Sequence, residues 1–200
     1  VAETPWRHEL DQAGGIALDL GPHFFDMLRY IGGSEISHLT ASTQVVEPTR
    51  YLLRDGERVE PISCDADDTF YASFENANGA SGVLFGSWGG HGTNTVVGEG
   101  PVFYGSRGRA SGDSLHLDGE SEPQSLGERY AADCPGEVKQ SHFPLGLELD
   151  CDFALNQHDW LQAIREGRQP ETSGEEGLRD LACAYAVVES AKAGRKVSID

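Results

Sequence analysis

The sequence predicts an α+β fold, a large and mostly antiparallel open sheet with helices packed on one face. Three observations carry that expectation. Apolar residues recur at three- and four-residue steps near both ends of the chain, the middle alternates with period two, and Asn76-Ala77-Asn78-Gly79 gives a hairpin signal between two alternating segments.

In chain order, a first helix is expected from near Gly15 to the Gly32-Gly33 pair, carrying Leu18, Phe25, Leu28 and Tyr30-Ile31. Pro22 suits its first turn, where a missing N–H has no partner to lose. Ile36 to Glu47, rich in Thr and Val, reads as a strand, and Thr69 to Glu75 and Ser81 to Trp88 flank the hairpin turn. Thr95 to Val97, Val102 to Tyr104 and Ser114 to Leu117 read as short strands between Gly-rich turns, whereas residues 120–149 show no pattern. A second helix is expected from about Asp150 to Glu166, with Phe153, Trp160, Leu161 and Ile164 inward and the Gly167–Pro170 stretch ending it. The last helix is capped by Ser173, has Glu175 and Glu176 at the positive end of its dipole, and stops at Gly194. Leu178, Leu181, Ala182, Tyr185, Val188 and Ala191 lay an apolar stripe along it, and Val197 to Ile199 supply a final strand.

Composition bounds what such a chain can do. Its 200 residues, with 25 Gly and 9 Pro, suit one ordinary domain or two very small ones, and a single domain spanning positions 1–200 is expected. A chain of this size buries roughly 70% of its unfolded surface and needs no disulfide or metal scaffold. The formal charge of −18, from 33 acids against 15 bases, argues against nucleic acid or an anionic membrane as partner. No apolar run approaches the ~20 residues of a membrane span. The opening Val1-Ala2-Glu3-Thr4-Pro5 lacks the order of a secretory signal. Cys64, Cys134, Cys151 and Cys183 lie far apart with no C-x-x-C, so they read as isolated thiols in a reducing cytoplasm.

The phosphate-binding motifs are missing. The G-x-G pairs, Gly90/Gly92 and Gly98/Gly100, are followed at the third position by Thr95 and Phe103, so neither completes G-x-G-x-x-G. No lysine is preceded by Gly, which excludes a triphosphate loop. Gly112-Asp113-Ser114-Leu115 spells the string of a serine hydrolase superfamily, but the D-x-x-H it would need appears only as Asp113 to His116, overlapping the serine. A Gly-Asp turn leading into a strand accounts for it.

One constellation stands out: Asp19-Leu-Gly-Pro-His23-Phe-Phe-Asp26. At ~100° per residue His23 lies about 40° from Asp19 around a helix, and Asp26 about 20° to the other side. A carboxylate one turn from an imidazole raises its basicity and fixes its orientation, as a proton-accepting histidine requires. The plainer reading makes Asp19 a helix cap, His23 a semi-buried polar residue, and Asp26 a partner of Arg29 or a solvated charge. A metal site on the same residues lacks a second His or Cys at ligand spacing.

Trp6-Arg7, Gly14-Gly15, the Asp19/Gly21/His23/Asp26 pattern and Tyr30-Ile31-Gly32-Gly33 together resemble the opening of the C-terminal domain of the Gfo/Idh/MocA oxidoreductase family. Asp68-Thr69, Gly105-Ser-Arg-Gly108, Trp160 to Gly167, Gly174-Glu175-Glu176-Gly177 and Glu189 to Val197 extend the resemblance in order, most weakly over 120–149. The resemblance implies the substrate-binding domain of an enzyme that uses NAD or NADP, with the dinucleotide held mainly by an N-terminal Rossmann domain absent from this chain. It implies a sugar, polyol or cyclic diol-like alcohol as small-molecule substrate, Asp19 and His23 as catalytic residues, and Trp6 and Arg7 at the substrate cleft. It implies helix support for Asp26 and a homo-oligomer formed through the open sheet face. The isolated chain is then expected to be inactive. The rival expectation is a non-catalytic module that serves assembly through the same sheet.

Overall fold

The computed structural model describes residues 4–91, 100–133 and 152–199, with side chains in the last stretch from residue 156. A 3-10 turn, Pro5–His8, precedes α1 (Ile16–Asp19) and α2 (Gly21–Gly32). Then come β1 (Ile36–Gln44), β2 (Thr49–Arg54), β3 (Glu57–Ser63), β4 (Thr69–Asn76) and β5 (Ser81–Ser87). They are followed by β6 (Val102–Gly105), β7 (Gly108–Ser111), β8 (Ser114–Leu117) and β9 (Gln124–Ser125). The chain closes with α3 (Leu126–Asp133), α4 (Asp152–Glu166), α5 (Gly174–Ala193) and β10 (Val197–Ser198). The expected strand Thr95 to Val97 lies outside the described residues, as do Cys134 and Cys151.

The α+β class holds, and every strand pair is antiparallel. Among the described residues the strands form three sheets in place of one large one: β10-β1-β4-β5, β2-β3 and β6-β7-β8-β9. The chain divides into two compact units, Val1–Val96 with Gly174–Asp200, and Val97–Ser173.

In the first unit the β10-β1-β4-β5 sheet turns one face to α1, α2 and α5. Ile16, Phe25, Leu39, Phe70, Phe74, Cys183, Ala184 and Val187 form the core between them. The pairing that shapes it is cross-strand: Phe70 sits opposite Gly86 and Phe74 opposite Gly82. A Cβ on Gly86 would lie 2.4 Å from Phe70 Cε1, and one on Gly82 2.5 Å from Phe74 Cζ, so both rings lie over bare backbone. The other face of the sheet carries Tyr71 and Val83, which are exposed.

The first helix is divided. Pro22 has no N–H to give, and α1 ends at Asp19 before α2 begins at Gly21. Of the residues that helix carries, Phe25 is buried and Tyr30 and Ile31 are exposed, and α2 also buries Arg29. In α5 the predicted stripe is the wrong one. Leu178, Leu181 and Tyr185 are exposed, and the buried face is Asp180, Cys183, Ala184, Ala186, Val187 and Ser190. Small residues let the helix approach β1 closely, and the polar ones are satisfied there. Ser190 Oγ accepts from the Ala41 N–H at 2.9 Å and donates to the Arg195 carbonyl at 2.7 Å.

The β2-β3 hairpin was not anticipated. Its turn is Asp55-Gly56, both at positive φ (52° and 83°), the backbone that a two-residue hairpin loop of the I′ type demands.

The second unit holds the β6-β7-β8-β9 meander, α3 and α4. Asp113 turns the chain into β8 and then ties it to α3. Its carboxylate accepts from the Gly127 N–H and the Ser125 hydroxyl, both at 2.7 Å. That employment, with Ser114 in the ladder opposite Ser111 and Ser125, leaves the Gly-Asp-Ser-Leu string a turn and cap. In α4, Ala163 is buried, whereas Trp160, Leu161 and Ile164 are exposed and not inward as predicted; the side chain of Phe153 lies outside the described ones.

Candidate active site

Trp6 and Arg7 stand on the 3-10 turn, Asp19 at the end of α1, and His23 in the first turn of α2. All four belong to the first unit. Two glycines make the local path possible. Gly14 and Gly15 have φ of 71° and 90°, and a Cβ on Gly15 would meet the Asp67 carbonyl oxygen at 2.7 Å. The Gly15 carbonyl then accepts from the N–H groups of Leu18 and Asp19, which starts α1.

The structure gives Asp19 a partner other than the one expected. Its carboxylate Oδ1 lies 3.5 Å from Arg7 Nε, and that nitrogen is buried with no hydrogen bond of its own. The guanidinium lies 5.3 Å from the centre of the Trp6 ring, so Trp6, Arg7 and Asp19 form one connected group. Among the described residues no hydrogen bond or ion pair joins Asp19 to His23, and His23 is exposed. Asp19 caps neither helix, since no side-chain cap is made at α1 or α2. Asp26 does not pair with Arg29, which is taken by Glu35, Glu176 and Asp180. The negative charge of Asp26 instead acts on Asp180 of α5.

A buried polar cluster centres on Asp68; of its members the sequence singles out Asp68-Thr69 but not the residues that meet them. Asp68 accepts from the backbone N–H groups of Val46 and Glu47, both at 2.8 Å, from Arg50 Nη2 at 3.1 Å and from the Thr69 hydroxyl at 3.1 Å. Burial alone would push its carboxyl up, but these donors together hold it below the ordinary carboxylate range. His8 is buried edge-on against Trp88, with ring centres 5.3 Å apart. Burial lowers its pKa, and the positive charge of Arg50 adds to that. The acid-rich run Asp65-Ala66-Asp67-Asp68 was the visible signal; its partners, twenty to sixty residues away, were not.

Among the described residues no group of three or more His, Cys, Asp or Glu is placed to hold a metal ion. No helix among them is long and apolar enough to cross a membrane.

The fold is an α+β unit with helices on one side of an antiparallel sheet, and its Trp6-Arg7 turn meets Asp19 at the end of α1. The chain belongs to the Gfo/Idh/MocA oxidoreductase family: the model of that family's C-terminal alpha/beta domain matches residues 1–199. It is 27% identical over 192 residues to the myo-inositol 2-dehydrogenase of Thermotoga maritima, covering 94% of this chain and 50% of that protein. It is also 27% identical over 206 residues to the levoglucosan dehydrogenase of Pseudarthrobacter phenanthrenivorans, covering 93% and 52%. Among solved structures, levoglucosan dehydrogenase in complex with NADH and L-sorbose superimposes with a TM-score of 0.74 at 26% identity, covering 98% of this chain and 53% of that one. The chain thus spans about half the length of the curated relatives it matches.

Proposed function

We propose that this chain is the substrate-binding domain, residues 1–200, of an NAD(P)-dependent cytoplasmic dehydrogenase acting on a sugar, polyol or cyclic diol-like alcohol. The observation that carries the reading is the Trp6-Arg7-Asp19 group, with the exposed imidazole of His23 four residues after Asp19, in the first turn of α2. An aromatic face beside a few polar groups suits a ring that is apolar on its faces and hydroxylated at its rim. The relatives named above, which act on a cyclic polyol and an anhydrosugar by their names, support the substrate class.

The chemistry a pyridine nucleotide would supply is hydride acceptance. This chain's residues do not fit that group's pyrophosphate, because neither G-x-G pair completes a dinucleotide cradle, and its binding is assigned to a part of the protein outside these residues. What this chain supplies is the proton chemistry and the hold on the substrate. His23 takes the hydroxyl proton at a ring nitrogen, Arg7 donates to substrate oxygens, and Asp19 fixes the guanidinium. Asp19 therefore reaches the substrate through Arg7 rather than through the imidazole.

In a full-length protein carrying this domain, His23→Asn should lower kcat far more than it raises KM, and an unchanged kcat rejects the assignment. By itself the chain should neither turn over nor bind NAD or NADP tightly, so micromolar binding by calorimetry would count against it.

A second reading, assembly through the open sheet face, has its own observation. Val83 is 82% exposed and Tyr71 47%, with Tyr71 packed on Phe85 at 5.0 Å between ring centres. The two readings are compatible, and a second copy seated there makes a homo-oligomer.

A further inference from the structure

Arg7 and Asp19 are twelve residues apart in sequence, on separate short elements, and neither element contributes a sheet strand. Something must set the distance between them. Three consecutive residues of the β3–β4 connector bond to the chain next to each: to His8 and Leu10 after Arg7, and to Ile16 before Asp19. On the Arg7 side, the N–H groups of Asp65 and Ala66 donate to the His8 carbonyl at 3.1 and 3.2 Å, and Asp65 Oδ1 accepts from the Leu10 N–H at 2.8 Å. On the Asp19 side, the Asp67 carbonyl accepts from the Ile16 N–H at 2.8 Å, at the position that requires Gly15.

The next residue, Asp68, is immobilised. It is 1% exposed, its carboxylate is fully engaged, its N–H donates to the Gln44 carbonyl at 3.1 Å, and its carbonyl accepts from the Trp88 N–H at 2.8 Å. A rigid post therefore carries a short bracket with one arm on the segment that carries Arg7 and one on the segment that carries Asp19. Of the bracket's bonds, only the one to Leu10 uses a side chain.

We propose that Asp65 is a positioning residue of the active site, holding the exit of the Trp6-Arg7 turn through the Leu10 N–H so that Arg7 stays against Asp19. The proposal rests on reading the Arg7–Asp19 edge as the substrate edge, but its geometry stands apart from turnover. Asp65 itself is exposed and lies outside the buried core cluster, so its removal should loosen the turn without loosening the sheet.

The test is nuclear magnetic resonance on this 200-residue chain, following the Arg7 Nε–H resonance and the backbone amides of Phe70 and Phe74. In Asp65→Ala, hydrogen exchange at Arg7 Nε should accelerate about tenfold or more and its resonance should move, with Phe70 and Phe74 as protected as before. Asp65→Asn keeps an acceptor oxygen and should restore the Arg7 signal to within about twofold. An unmoved Arg7 resonance in Asp65→Ala overturns the proposal. So does equal behaviour of the Ala and Asn variants, or loss of protection at Phe70 and Phe74, which would make Asp65 a general stabiliser. No substrate enters the experiment, so its failure is distinct from that of the proposed activity, which the His23 variant addresses.

Discussion

Arg29 Nη1 donates to Asp180 Oδ1 at 2.6 Å, joining α2 to α5 with both side chains almost wholly withdrawn from water. The same guanidinium donates from Nε to Glu35 at 2.7 Å and from Nη2 to Glu176 at 2.7 Å. Hydrogen bonding to Glu35, helped by Asp180 and Glu176, raises the Arg29 pKa, so it stays charged at any accessible pH. Burial pushes the Asp180 carboxyl up while Arg29 opposes it.

Removing the arginine leaves three carboxylates facing one another, one of them buried. Arg29→Met should therefore destabilise the chain by about 3–5 kcal/mol, read as a lower urea midpoint at unchanged slope. Asp180→Asn, which leaves Arg29 two carboxylate partners, should cost distinctly less.

The depressed carboxyl of Asp68 makes part of the stability pH-dependent. Its folded pKa lies below its unfolded value near 4. The stabilisation is therefore complete above that unfolded value and disappears as pH falls through the folded one. Asp68→Asn should be less stable than the parent at pH 7, and the gap should narrow on acidification below pH 4 in parallel denaturation series.

The glycines beneath the two phenylalanines permit a packing test. Gly86→Ala places a methyl 2.4 Å from Phe70 Cε1, and the cost should be about 1–3 kcal/mol by thermal unfolding. Adding Phe70→Leu should recover part of that loss, because the ring is the obstacle and not the strand.

If the open sheet face seats a second copy, Val83→Glu should convert a dimer to a monomer in sedimentation with little change in far-ultraviolet circular dichroism. A parent that sediments as a monomer at tens of micromolar would exclude the assembly reading.

Legibility in the sequence followed the range of the interactions. The Asn76–Gly79 hairpin and strand β8 were placed closely, because local turn chemistry and alternation decide them. Asp55-Gly56 carried an equally local signal, and the β2-β3 hairpin could have been found by it. The faces of α4 and α5 were misread for a different reason. Large apolar residues at helical spacing marked a stripe, yet Ala184, Val187 and Ser190 make the close approach and Leu178 and Tyr185 do not. In the candidate site, Asp19 and His23 stand out by their spacing and Trp6 and Arg7 by the family resemblance, whereas the Arg7–Asp19 pair and the Asp65–Asp67 bracket show in neither. Those contacts depend on how separate segments meet, which no spacing along one helix encodes.

The inverted size distribution on α5 has a thermodynamic consequence. With Leu178, Leu181 and Tyr185 wetted in the native chain, as are Trp160, Leu161 and Ile164 of α4, unfolding newly hydrates less hydrocarbon than the composition suggests. The heat-capacity increment should fall below the usual ~12–15 cal/mol/K per residue, giving a broad, shallow stability curve whose optimum is poorly defined in temperature.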